Sequence, residues 1–240
     1  MKTEYFCGGN AYNEMSEKAA EFVAWEIKSK PGMILGLPTG STPLGMYSRL
    51  IEMNRAGEID FSKVTTFNLD EYYPIKKDSE QSYYKFMFDN FFNGINIDAK
   101  NINIPNGEAA DAETHCKEYD KKIESLGGLD LMVLGMGTNG HIGFNEPCGY
   151  LLAGTHVASL TESTKKNNAR FFASVDEVPT VALTMGMGSI LQAKKILLII
   201  NGEPKKSALK EFLTGKITTE LPASFLHLHK DVTVLSDVSV

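Results

Sequence analysis

The chain has 240 residues, 42% of them hydrophobic and 22% charged, with a net charge of −6 at pH 7. That balance is typical of folded globular proteins and lies outside the disordered range. An acidic chain offers no general field for nucleic acid, so a phosphorylated ligand would need a local cluster of donors.

No apolar run nears the roughly 20 residues that span a bilayer. The opening residues, MKTEYFCGGNAYNE, lack the apolar core of a secretory signal, and a cytoplasmic protein without membrane contact is expected. Cys7, Cys116 and Cys148 are widely spaced and form no C-x-x-C pair, which predicts reduced thiols and no metal site.

Met15, Ala19, Phe22, Val23 and Ile27 recur at helical spacing and predict a helix over 13–30, ended by Pro31-Gly32. A short apolar run predicts a strand over 33–37, and helical period returns over 42–55 with Leu44, Tyr47, Leu50 and Ile51 on one side. A strand over 64–69 and an aromatic-rich helix over 82–92 follow. The helix expected over 109–126 ends at Gly127-Gly128, where glycine accepts the left-handed terminal conformation. The runs LDLMVL (129–134) and ILLII (196–200) are almost wholly apolar, as strands buried on both faces of a parallel sheet are. A helix over 203–213 and a strand over 232–235 close the series.

No repeat or linker divides the chain, so one domain over 1–240 is expected. The alternation of strands and helices predicts an α/β fold. It should be a doubly wound, mostly parallel sheet with helices on both faces, a Rossmann-like three-layer sandwich. Such sheets bind ligands beyond the carboxyl ends of their strands, which directs attention to the residues after Leu37, Leu69, Leu134 and Ile200.

Leu37 is followed by PTGSTPLGMY, in which Gly40, Ser41 and Thr42 form a turn into a helix and Pro43 suits its first position. A helix N-terminus with free N–H groups and hydroxyls can hold a phosphate, although a plain cap would look the same. The motif is neither a Walker loop nor G-x-G-x-x-G.

Asp70 and Glu71, in FNLDEYY, are adjacent acids after the next strand; buried, one could be a general base, and exposed, they are a solvated turn. The third end, GMGTNGHIGFNEP, combines four glycines with Asn139, His141 and Glu146. Imidazole is suited to proton transfer near neutral pH, and a carboxylate can fix its tautomer. Lys205, after Ile200, and Arg170, in KKNNARFF, are candidate cations. His227 and His229 would share a strand face without a third metal ligand, His115 lies on a polar helix side, and His156 begins a strand.

PTGSTPLGMY, FNLDEYY, GMGTNGHIGFNEP, LTESTKKNNARFF and PASFLHLH occur in that order, and together they resemble the glucosamine-6-phosphate deaminase family in its short bacterial form. The resemblance covers essentially the whole chain; the PTG turn alone is shared with 6-phosphogluconolactonase-like relatives. It implies an enzyme that couples aldose–ketose isomerisation to deamination, giving fructose 6-phosphate and ammonia without metal or organic cofactor. By motif, Asp70 corresponds to the base moving a proton from C2 to C1. His141 corresponds to the base of ring opening, assisted by Glu146 and the residue at 139. Gly40, Ser41, Thr42, Arg170 and Lys205 correspond to phosphate-binding positions.

Three departures from the family pattern stand out. Asn139 replaces the aspartate of some members, which implies an orienting role with Glu146 as the charged partner. CGYLLAGT follows Pro147, with Gly154 where an arginine is expected, and the chain ends at Val240 without the tail of regulated hexamers. An unregulated monomer or small homo-oligomer is therefore expected. The altered segment keeps a galactosamine-6-phosphate deaminase as the nearest enzymatic alternative. A non-catalytic sugar-phosphate-sensing module is the alternative of another class.

Overall fold

Leu131, Val133, Leu197 and Ile199 enter one apolar layer, while Met132, Leu134, Ile196, Leu198 and Ile200 enter the other. Successive strand residues point to opposite faces, so a strand covered on both sides must be apolar throughout. This is why LDLMVL and ILLII show no alternation. The computed structural model describes residues 1–160 and 179–240.

Seven parallel strands form the main sheet: β1 (Lys2–Tyr5), β2 (Ile34–Leu37), β3 (Thr65–Asn68), β5 (Ile102–Asn103), β6 (Leu131–Gly135), β9 (Lys195–Ile200) and β10 (Val232–Ser236). Their spatial order is β1-β10-β9-β6-β2-β3-β5. Helices α1 (Ala11–Ser29), α2 (Leu44–Arg55) and α3 (Tyr83–Asn90) cover one face through Met15, Val23, Tyr47, Leu50 and Met87. The other face carries α4 (Ala112–Ser125), α5 (Met187–Leu191) and α6 (Lys206–Phe212) through Tyr119, Ile123, Ile190, Leu209 and Phe212. The architecture is the α/β three-layer sandwich expected from the alternation.

A second, antiparallel sheet of β4 (Asp70–Tyr73), β8 (Val181–Thr184) and β7 (His156–Ser159) lies apart, in the order β4-β8-β7. Only the start of β7, at His156, is indicated by the sequence. Its apolar side is a small cluster of Tyr72, Phe144, Ala158, Leu160 and Ala182. Asp70 and Glu71 therefore begin a buried strand and do not form an acidic turn.

Several boundaries and one assignment differ from the sequence reading. Pro43 is the N-cap of α2, and the helix proper begins at Leu44. The helix expected over 203–213 is a 3₁₀ turn (Glu203–Lys205) followed by α6. Asp111 caps α4 through the Thr114 N–H, so that helix starts three residues later than its period suggests. His227 and His229 are not on a strand. Pro222–Leu228 is a 3₁₀ helix begun by its proline, and the two imidazoles bond the carbonyls of Phe212 and Ala193.

Candidate active site

The strand ends singled out by sequence belong to β9, β6, β2 and β3, which are consecutive neighbours in the sheet. All four run parallel, so their following loops open on one edge. The chain leaves β2 toward β3 and β5, then returns to the other side of β2 to form β6. The PTG turn and the histidine loop thus flank the point where strand order reverses, the usual ligand crevice of an open parallel sheet.

In the loop after β6, the Asn139 amide links two side chains. Its Nδ2 donates to Glu146 Oε2 at 2.8 Å, and its Oδ1 lies 2.6 Å from His141 Nδ1. Glu146 Oε1 is 3.6 Å from the same ring nitrogen. Gly137 makes this approach feasible, because a Cβ there would stand 2.1 Å from His141 Cε1. Gly140, with φ +81°, turns the chain tightly, and its carbonyl accepts the Ala223 N–H. Burial lowers the His141 pKa, Glu146 opposes that, and the charge of Lys205 adds to it. The imidazole is held neutral.

Lys205 reaches this region from the 3₁₀ turn after β9. Asp237 positions the turn by accepting the Gly202 N–H at 2.8 Å and the Asn201 amide at 2.8 Å. Burial lowers the Lys205 pKa, and Asp237 offsets part of the effect.

Asp70 is 6% exposed, and its Oδ1 is enclosed without a hydrogen-bond partner. Burial first, and then the charge of Glu71, push its carboxyl up to about 8. The His141 loop is docked against β8, the strand paired with the one carrying Asp70. The Phe144 N–H donates to Thr184 Oγ1 at 3.1 Å, and Thr184 stands opposite Asp70 in the β4–β8 ladder. A Cβ on Gly143 would meet that hydroxyl at 2.9 Å and Leu69 at 3.1 Å.

Gly40, at φ +92°, turns the chain after Pro38 and Thr39, with Ser41 exposed and Thr42 buried. The Tyr12 hydroxyl clamps this turn: it accepts the Gly45 N–H at 2.9 Å and lies 3.2 Å from the Ser41 carbonyl. Arg170 lies outside the described residues. Tyr12, Thr184 and Asp237 escaped the sequence reading because each acts from a distant element and belongs to no motif. Gly154, where an arginine was expected, faces Asp120, whose Oδ2 would be 2.9 Å from a Cβ there. Asp120 instead takes the Thr155 N–H at 2.7 Å.

Among the described residues, no three His, Cys, Asp or Glu side chains cluster to hold a metal ion, and no helix is long and apolar enough to cross a membrane. A parallel sheet with a buried carboxyl and an imidazole–amide–carboxylate chain at its carboxyl edge is the layout of an α/β enzyme working by proton transfer. Residues 10–143 and 153–235 match the glucosamine-6-phosphate isomerases/6-phosphogluconolactonase family, and the chain belongs to it.

Among its relatives is a glucosamine-6-phosphate deaminase of Thermoanaerobacter sp. (strain X514), 57% identical over 226 residues, covering 94% of this chain and 89% of the relative. The glucosamine-6-phosphate deaminase of Clostridium perfringens (strain 13 / Type A) is 53% identical, with coverage of 94% and 93%. The solved structure of a monomeric glucosamine-6-phosphate deaminase superposes with a TM-score of 0.94 at 46% identity, covering 98% of this chain and 97% of the other. A 6-phosphogluconolactonase from Thermotoga maritima shares the fold, with a TM-score of 0.75 at 23% identity over 98% and 99% of the two chains.

Proposed function

We propose that this enzyme converts glucosamine 6-phosphate and water into fructose 6-phosphate and ammonia, acting as a monomer or small homo-oligomer. The observation that supports the reading is that buried Asp70, just after β3, and the Asn139-oriented His141, in the loop after β6, both follow strands of the parallel sheet at its carboxyl edge. Identities of 57% and 53% to deaminases support it.

The substrate is a cyclic hemiacetal, and its C2 proton becomes acidic only after the ring opens to an aldehyde. His141 takes the proton from O1 and returns it to the ring oxygen, breaking the C1–O5 bond. Asp70 then removes the proton from C2 and delivers it to C1, while one proton passes from the C2 ammonium to O1, so that C1 becomes an alcohol and C2 a protonated imine. Water adds to that imine and ammonia departs, which leaves the ketose. The turn at Gly40, Ser41 and Thr42, with Lys205 and Arg170, holds the phosphate. That distant binding energy keeps C1 and C2 in register with the two bases.

Ammonia release from glucosamine 6-phosphate and galactosamine 6-phosphate, and acid release from 6-phosphogluconolactone, assayed side by side with purified protein, test the reading. Turnover of the first sugar is expected. Turnover confined to galactosamine 6-phosphate, or lactone hydrolysis without ammonia, would replace it.

A further inference from the structure

Glu71 is 2% exposed and takes no part in the steps above. Its Oε1 accepts the N–H of Tyr72 at 2.9 Å and of Tyr83 at 2.8 Å, and its Oε2 accepts the N–H of Tyr84 at 2.8 Å. Tyr83 and Tyr84 open α3, so the carboxylate sits at the positive end of that helix. Three N–H donors and a helix N-terminus favour the charged acid against the cost of burial. Burial outweighs the three backbone bonds and leaves Glu71 raised to about 7, so near neutral pH it is ionised in part of the molecules. That negative charge, held on three N–H donors, stands one residue from Asp70.

The titratable groups around the pair do not neutralise it. Tyr47 on α2, Tyr72 on β4, Tyr83 on α3 and Tyr119 on α4 all feel the Asp70 charge and, being buried, stay as neutral phenols. On its outer side Glu71 lines a cavity of about 290 Å³ with Lys77, His115, Glu118 and Lys122. Among the described residues none gives Asp70 a hydrogen bond or a positive neighbour. Asp130, where β6 begins, shows the contrast: Lys30 and Lys194 each lie 2.7 Å from its Oδ1, and the Ile34 N–H bonds its Oδ2.

Resting on the proposed reaction, we propose that Glu71 is a positioning residue which, acting through Asp70, makes the base of the reaction conditional on a positively charged group at C2 of the substrate. With the site empty, two buried acids side by side hold a proton on Asp70. An arriving C2 ammonium supplies the missing cation, and that proton leaves to solvent. The resulting carboxylate lies beside the C2–H bond it has to break. A sugar phosphate with a C2 hydroxyl brings no charge, so Asp70 keeps its proton and enolisation stalls. Discrimination between amino and hydroxyl substrates then lies in kcat.

Calorimetry near pH 7 in buffers of different ionisation enthalpy counts protons exchanged on binding. The probes are 2-amino-2-deoxyglucitol 6-phosphate and glucitol 6-phosphate, open-chain phosphates that differ only at C2. The wild type is expected to release a large fraction of one proton with the amine and essentially none with the alcohol. Glu71→Gln keeps a carbonyl acceptor but loses the charge; its release should fall by about half or more, and the acid limb of its kcat/KM profile should move to lower pH. Binding of both ligands to the wild type without proton release overturns the inference and leaves the substrate reading standing. An unchanged release and pH limb in folded Glu71→Gln also overturns it. Failure of both phosphates to bind the wild type counts against the substrate reading and removes the inference with it.

Discussion

Asn139 gives its amide N–H to Glu146 at 2.8 Å, and this leaves its carbonyl oxygen to face His141 Nδ1 at 2.6 Å. An amide oxygen only accepts, so the proton of the neutral ring is on Nδ1 and the Nε2 lone pair is free. An asparagine can therefore orient the base without relaying a proton. Asn139→Ala should reduce kcat by about 10–100-fold, part of what a general base contributes, and leave the fold intact. Nitrogen NMR of His141 would report the accompanying loss of the Nδ1–H tautomer.

Gly137→Ala places a methyl where the imidazole now lies, 2.1 Å from Cε1. The ring must move by more than an ångström, and misplacement of that size costs about 10²-fold in rate. Little change is expected in Tm, since Gly137 is on a loop. Kinetics of this variant beside its melting curve would separate the two effects.

Thr184→Val removes the acceptor of the Phe144 N–H while keeping volume and strand preference. An unpaired buried N–H costs roughly 1–3 kcal/mol. Because this bond docks the histidine loop on β8, the strand paired with the one carrying Asp70, kcat should fall together with stability. Denaturant unfolding and steady-state assays on one preparation test the pairing of the two losses.

Asp70 sets a pH signature on stability. Its folded pKa, about 8, lies above the ordinary 3.8, so the folded state binds this proton more tightly than the unfolded state. The contribution is present in full below the unfolded value and is lost as pH rises towards about 8, at up to about 1.4 kcal/mol per pH unit. Asp70→Asn abolishes this loss. The variant's stability relative to the wild type is expected to grow between about pH 4 and about pH 8, measured as unfolding free energy at each pH.

Strands buried on both faces were readable because their side chains alternate between two apolar layers, as β6 and β9 do. β1 carries no such signal, since all four of its residues are exposed and only pairing with β10 defines it. The small antiparallel sheet also escaped notice: Asp70–Tyr73 pairs with Val181–Thr184 far along the chain, and neither segment alternates. At the site, glycines mixed with polar residues marked Asn139, His141 and Glu146 directly. The environment of Asp70 was not legible, because the tyrosines around it arrive from α2, β4, α3 and α4. An Asp-Glu pair in sequence looks the same whether solvated or enclosed.

The proposed division of labour between His141 and Asp70 is tested most directly by NMR of glucosamine 6-phosphate in deuterated water. Exchange between its anomers reports ring opening, and deuterium at carbon reports enolisation. Asp70→Asn should retain anomer exchange and lose deuterium incorporation by about 10³-fold or more, while His141→Gln should lose anomer exchange. Normal deuterium incorporation in Asp70→Asn, or undiminished anomer exchange in His141→Gln, would contradict the account.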